Sequence, residues 1–287
     1  MGRHKNRHES RTVQRGWFLH IYFFAHLHRG VLPGPGRAHH GDMESETAPL
    51  SSNREFWEGR YRDEDPSSPD PEPSPAFTAL MEDPALVPPT TGARRALELA
   101  CGRGGDALWM AAKGWHVTAV DISEHVLATL NERARMAGLT DRLSTRHHDL
   151  ALSTPEPEAW GLVYANYFHT ATNIDRATIL RRVSDSVVEG GLLIVIDHGS
   201  SAPWSWVQRE DHPTPEDLWN SLDLGADWSA LVCERRSRIA QSPKNVGGSE
   251  GAGSVGAAEG AQGSESAEVR TAWVIDNVLV ARRRSTT

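Results

Sequence analysis

The sequence predicts a doubly wound α/β fold, and three observations carry that reading. Short apolar runs alternate with segments of helical periodicity between residues 96 and 196. One of these runs, Leu192-Leu-Ile-Val-Ile196, is apolar at every position, the pattern of a strand buried on both faces of a parallel sheet. Two strand-like runs near the end of the chain have no helix between them, so they are expected to pair antiparallel as a hairpin at one edge.

The elements follow in order. Ala96-Leu-Glu-Leu-Ala100 is a short buried strand. After a glycine-rich turn, Leu108, Ala111 and Ala112 fall at i, i+3 and i+4 of a helix that Gly114 stops. His116-Val-Thr-Ala-Val-Asp121 is a second strand. Ser123 is placed as an N-cap, and Leu127, Leu130, Ala134 and Ala137 line one helical face before Gly138. Leu143–His148 is a weaker third strand and Gly161–Tyr167 a fourth. A helix carrying Ala177, Leu180, Val183 and Val187 follows, and Gly190-Gly191 turns into the Leu192–Ile196 strand. Strands joined by helices of this length wind into one mostly parallel sheet. Leu231–Ile239 and Thr271–Ala281 form the closing hairpin.

A length of 287 residues admits one large domain or two small ones. The net charge of −8 excludes a bulk positive field for nucleic acid. Two cysteines make neither a disulfide framework nor a four-cysteine zinc site, which points to a reducing, cytoplasmic compartment. No apolar run reaches the roughly 18 residues of a membrane span. The charge is unevenly divided. Residues 1–42 hold seven Lys/Arg, two acids and half the histidines, leaving 23 bases and 36 acids in the rest. Within that leader, two histidines interrupt the apolar run Trp17–Leu27 and no small-x-small cleavage site precedes Arg29, unlike a signal peptide. Residues 1–42 are therefore expected to be a disordered tail or an over-extended start, and residues 43–287 a single domain. Asp63–Pro75, with five prolines and five acids, reads as extended linker. Residues 247–268, of which 20 are Gly, Ala, Ser or Glu, read as a flexible loop.

The chemistry is concentrated in Glu98-Leu-Ala-Cys-Gly-Arg-Gly-Gly-Asp106. A strand running through glycines into a helix sets unpaired N–H groups beside a ligand, and Gly102 and Gly104 allow close approach. Asp121, at the end of the second strand, is placed to accept both hydroxyls of a ribose. Literally read, Gly102-Arg-Gly-Gly-Asp-Ala107 fits the dinucleotide fingerprint, so an NAD-dependent oxidoreductase is the alternative of the same fold. Charge separates the two. A pyrophosphate is repelled by a carboxylate at this position, whereas Glu98 suits a ligand with an ammonium group and no phosphates. Asp149 is a further acid, placed either for an adenine amino group or as a simple helix cap. The three acids favour S-adenosylmethionine.

On these motifs the chain resembles the class I S-adenosylmethionine-dependent methyltransferases. The segments carrying the likeness are the Glu98–Gly104 turn and Trp115-His-Val-Thr-Ala-Val-Asp-Ile-Ser123. Phe56-Trp-Glu-Gly-Arg-Tyr61 resembles a segment of the small bacterial branch related to thiopurine and tellurite-resistance methyltransferases. The resemblance spans about residues 53–284, Gly190-Gly191 and Asp276–Arg282 included. It implies a Rossmann-like, doubly wound seven-stranded sheet with an antiparallel C-terminal hairpin. It further implies cofactor contacts from Trp57, Arg60, Tyr61, Glu98, Ala100, Cys101, Gly102, Gly104, Asp121, Ile122, Asp149, Leu150 and Asn166. Ala100 departs from the pattern, standing where many members have glycine.

Ligands bind at the carboxyl ends of parallel strands, so residues after the fourth and fifth strands face the acceptor. His169 and His198 are the candidate bases or substrate contacts, with a hydrogen-bonded loop histidine as the plain alternative for each. No proline follows Asn166, so an Asn-Pro-Pro-Tyr signature of amino-methylation is missing. Trp204, Trp206 and Trp219 either wall an apolar pocket or pack on the sheet. No His or Cys stands at metal-ligand spacing around Cys101 or Cys233. The expected activity is methyl transfer to a small-molecule acceptor, with no nucleic acid and no membrane as partner; a non-catalytic cofactor-binding protein is the reading from another class. Intact-mass measurement of the natively expressed protein tests the leader: a chain beginning at Met1 refutes an over-extended start.

Overall fold

The structure, a computed structural model, describes residues 51–63, 70–86, 94–154, 160–168, 174–205, 208–242 and 270–285. The leader and the 247–268 segment lie outside the described residues. Seven strands form one sheet: β1 (Arg95–Leu99), β2 (His116–Asp121), β3 (Leu143–His147), β4 (Trp160–Asn166), β5 (Val187–His198), β6 (Trp228–Gln241) and β7 (Thr271–Arg283). Their order is β3-β2-β1-β4-β5-β7-β6. The first five are parallel, and β7 lies antiparallel between β5 and β6, which leaves β6 as the edge.

Six α-helices accompany the sheet among the described residues, α1 (Ser51–Arg62), α2 (Pro75–Met81), α3 (Gly105–Ala112), α4 (Glu124–Met136), α5 (Arg176–Ser184) and α6 (Pro215–Leu222), with one short 3-10 helix, Pro84–Leu86. Phe77, Met110, Leu127 and Leu130 pack on one face of the sheet against Tyr164, Ile194 and Val278. Ile179, Leu180, Val183 and Leu222 pack on the other, against Leu97, Val163, Val195 and Leu279. Alternate residues of β4, β5 and β7 therefore enter opposite core layers, which is why these strands read as unbroken apolar runs.

Several boundaries differ from the sequence expectation. Val187 is strand, not the end of the α5 face: it pairs with Trp160, and α5 has already stopped at Ser184. Gly190-Gly191 lies inside β5 instead of preceding it. There the register with β4 jumps, and a Cβ on Gly191 would meet Val187 Cγ1 at 2.7 Å and Val188 O at 2.9 Å. The glycines thus make a bulge, which is a close approach of backbone to backbone. Ala137 is the exposed C-cap of α4 and not part of its buried face. Pro75 opens α2 with Ser74 as N-cap, so the acidic, proline-rich segment ends in a helix.

Strand order reverses between β1 and β4, the topological switch point where open α/β sheets bind ligands. Glu98 stands at that point, paired in register with Ala119 on one side and Tyr164 on the other.

Gly104 at the start of α3 has φ +80°, and a Cβ there would lie 2.3 Å from the Cδ1 of fully buried Leu130. Gly104→Ala combines left-handed strain with overpacking and should lower stability by about 2–4 kcal/mol, read from urea melts.

Candidate functional site

The carboxyl ends of β1, β2, β4 and β5 open into one cavity of about 870 Å³. Pockets for small molecules run to about 300–1,000 Å³, so this one is at the roomy end. Every described residue expected at the cofactor lines it. Trp57, Arg60 and Tyr61 come from α1; Glu98, Ala100, Cys101, Gly102 and Gly104 from β1 and its turn; Asp121 and Ile122 follow from β2; Asp149, Leu150 and Asn166 complete the set. His198 lines the same cavity, whereas His169 lies outside the described residues.

The turn after β1 is held by backbone bonds. Cys101 N donates to Val120 O at 2.9 Å and Gly104 N to Cys101 O at 3.0 Å. Gly102 has φ +51°, and a Cβ on it would sit 3.0 Å from the Tyr61 hydroxyl oxygen. Ala100 has φ +51° as well. An L-residue in that region is strained by about 1–2 kcal/mol, which explains physically why glycine suits the position.

Asp121 does more than the sequence suggested. Its Oδ2 accepts from Gly102 N at 2.9 Å and its Oδ1 from Ser123 N at 3.0 Å. A carboxylate offers about four lone-pair sites, so it retains room for further donors while fixing two turns. Ser123 in turn caps α4, accepting from Val126 N at 3.2 Å, and its hydroxyl donates to Glu58 Oε2 at 2.5 Å. Burial works upward on the Glu58 carboxyl, but the Ser123 and His125 donors outweigh it and hold it below its ordinary value. Glu58 thereby fastens α1 across the N-terminus of α4.

Two buried carboxyl groups, Glu98 and Asp121, and the half-buried one of Asp106 crowd the switch point. Glu98 is 3% exposed and accepts from the Tyr164 hydroxyl at 3.1 Å. Burial first, then the charge of Asp106, pushes its carboxyl well above the usual range. Asp106 is the site residue the sequence reading missed. It accepts from Ser74 N at 2.6 Å and from Asn166 Nδ2 at 2.9 Å, and burial lifts its carboxyl to about 6. The signal was present, since an acid in the first turn of α3, two residues past Gly104, repeats the charge argument made for Glu98. Burial also raises Asp121. Asp149 is neither helix cap nor unengaged: its Oδ1 accepts from Ala151 N at 2.9 Å in a local turn at the cavity wall.

The described part of the linker packs on the site. Pro71 is buried, and Glu72 O would lie 2.4 Å from a Cβ on Gly105. Ser74 joins this strap to Asp106, and Phe77 of α2 stacks on Tyr164 at 4.5 Å. The expectation of a plain extended linker is corrected over residues 70–75.

At the other end of the cavity, His198 stacks on Tyr167 with ring centres 4.5 Å apart. Burial lowers its imidazole below the ordinary value, leaving it neutral near pH 7 and able to accept a proton. Tyr167 is held at φ +53° at the end of β4. Arg176 grips Asp197 at 2.9 and 2.6 Å, and Arg238 grips Asp276 at 2.6 and 3.2 Å. Trp204 packs with Ala202, Ala240 and Val274, and Trp219 against the α5–α6 core layer; neither lines the cavity. Trp206 lies outside the described residues. Among the described residues no group of acids, histidines and cysteines is placed to hold a metal ion.

Residues 96–191 match the family described as a methyltransferase domain. No curated protein matches the chain. Among solved structures, a protein from work on the conversion of a disulfide bond into a thioacetal group in echinomycin biosynthesis is similar at 19% identity and a TM-score of 0.53. That likeness covers 82% of this chain and 94% of the other, and shows the fold. TehB from Haemophilus influenzae is similar at 18% identity and a TM-score of 0.45, covering 68% and 59%. The cyclase SpnF is similar at 24% identity and a TM-score of 0.41, with 51% of this chain covered; the chain spans about half of that protein, 56%. The cofactor of a methyltransferase domain of this kind is S-adenosylmethionine. The donor set fits it: Glu98, Asp106 and Asp121, all lining the cavity, suit a cationic ligand without phosphates.

A cation binds the ionised acids, so protonating Asp106 opposes it. S-adenosylmethionine affinity should rise with pH by up to about tenfold per unit below pH 6 and level off above 7. Calorimetry across that range checks this, and Asp106→Asn should flatten the slope.

Proposed function

We propose that this chain, a class I S-adenosylmethionine-dependent methyltransferase, transfers the methyl group to a small-molecule acceptor by in-line displacement. The observation that carries the reading is the buried Glu98 at the switch point beside Asp106 and Asp121. The acceptor's small size is supported by a cavity of bounded volume and by an acidic net charge that offers no grip on a polyanion. The N-terminal Phe56–Tyr61 segment, in α1 at the cavity wall, supports a place in the thiopurine and tellurite-resistance branch. Two free cysteines support a cytoplasmic setting, and among the described residues no helix is long and apolar enough to cross a membrane.

S-adenosylmethionine supplies an electrophilic methyl group on a sulfonium. The residues of the chain bind, orient and exclude water. Glu98 and Asp106 offer charge to the amino-acid end, with the Glu98–Gly104 turn supplying backbone N–H groups. Asp121 serves the ribose, and Asp149 with Leu150 the adenine. His198, neutral and at the cavity wall, is the group that takes a proton from an acceptor that must lose one. His169 is the second candidate, on its position after β4.

Two measurements test the reading. Calorimetry with S-adenosylhomocysteine and NAD separates the cofactors, and binding of NAD alone would overturn it. Asp121→Ala should weaken S-adenosylhomocysteine binding by about 2–4 kcal/mol through loss of a charged acceptor. It should also lower Tm, because the Gly102 and Ser123 amides lose their common partner. Unchanged affinity refutes the ribose role.

A further inference from the structure

We propose that Arg238 is a positioning residue for the candidate base His198: by holding the carboxylate of Asp276 it keeps that charge from the imidazole, which therefore stands unprotonated at the acceptor end. The inference deepens the methyl-transfer reading and rests on it, because that reading is what gives His198 a proton to take.

The topology brings these groups together. His198 closes β5, and Asp276 lies directly opposite it on the antiparallel β7. Arg238 comes from β6, on the far side of β7. Opposed residues of neighbouring strands share a face of the sheet, and so do residues two apart on one strand. Arg236 is opposite Asp276, which puts Arg238 on the face that His198 and Asp276 share. Tyr167, following β4, lays its ring on His198 with centres 4.5 Å apart and planes at 27°. Its hydroxyl is in hydrogen-bond contact with both Asp276 and Arg238. His198, Tyr167 and Arg238 line the cavity, whereas Asp276 is 1% exposed behind them.

A carboxylate buried beside an imidazole favours the imidazolium, and a charged His198 could not take a proton from an acceptor. Arg238 cancels that pull. Its Nε and Nη2 donate to the two oxygens of Asp276 at 2.6 and 3.2 Å, the planar two-point grip that an arginine makes and a lysine does not. The other charged neighbours do not restore the pull. Asp197, the residue before His198, projects to the opposite face of β5, where Arg176 holds both of its oxygens. His212 brings no negative charge, and its Nε2 lies 3.2 Å from Ser201 Oγ. Arg235 donates to Gly199 O, one residue on, and adds positive charge to this end. Burial is then the largest influence on the ring: it lowers the imidazole below its ordinary value, with Arg238 acting in the same direction and Asp276 against it.

The test is a nitrogen-15 NMR titration of the His198 imidazole, its signal identified by its loss in His198→Gln. In the wild-type protein the midpoint should fall below the ordinary histidine value of about 6.5. Arg238→Gln leaves a bare carboxylate facing the ring and should carry the midpoint above about 6.5, whereas loosened packing alone would bring it only up to that value. Arg238→Gln combined with Asp276→Asn replaces the ion pair by two amides and should return the midpoint below about 6.5. The double variant leaves no uncompensated buried charge, so it and the wild type decide the matter if the single variant does not fold. A wild-type midpoint at or above the ordinary value, a single variant that stays at or below it, or a double variant that stays above it each overturns the proposal. Calorimetry of S-adenosylhomocysteine into the wild-type protein is read separately: its failure to bind overturns the methyl-transfer reading and the proposal with it.

Discussion

A single carboxylate, that of Asp121, ties together the parts of this fold that matter for its site. One oxygen holds the amide of Gly102 and the other the amide of Ser123, so the turn after β1 and the turn after β2 share one fastening. Through Ser123 the fastening reaches further: its hydroxyl caps α4 and meets Glu58, and α1 brings Trp57, Arg60 and Tyr61 to the cavity. Gly102 in turn stands against the Tyr61 hydroxyl. Hydrogen bonds to an ionised group are about twice as strong as neutral ones, and here they are shielded from water. The geometry of the turn and the placement of α1 are thus consequences of one short side chain at the end of β2.

Backbone strain gathers at the same place. Among the described residues, two of the three non-glycine residues with positive φ, Ala100 and Tyr167, follow or end the neighbouring strands β1 and β4. Each is over-determined by its surroundings: Cys101 N bonds Val120 O after the first, and Tyr167 N bonds Ile196 O at 2.7 Å while its ring lies on His198. Strained residues persist only where packing insists on them, and they cluster where ligands bind. The third, Asp223, is a helix C-cap and has no part in the site.

What was legible in the sequence follows from the range of the interactions concerned. The glycine turn, the Ser123 cap and the acid ending β2 obey local rules of spacing, and each stands in the structure where those rules put it. The β6–β7 hairpin was legible because the sequence between its strands carries no helical pattern, and the two strands do pair antiparallel. Asp106 was passed over because its partners, Ser74 and Asn166, are 32 and 60 residues away in the chain. The strap was read as linker for the same reason: its composition is that of an extended segment, and only the contact of Glu72 with Gly105 shows it docked. Val187 looked helical because an apolar residue four places after Val183 fits either period, and the pairing with Trp160 decided it.

The crowding of Glu98, Asp106 and Asp121 has a consequence for the life of the protein in a cell. A carboxyl whose pKa is raised by folding holds its proton more tightly folded than unfolded, so folding is weakened as pH rises and each group is forced to ionise, Asp106 at about 6. Ionising these neighbouring carboxyls sets like charges against one another, and a cation beside them relieves that repulsion. Ligand binding to the folded form alone adds stability in proportion to the logarithm of its concentration. A ligand held at this site would therefore also reduce the share of molecules that are unfolded and open to proteases.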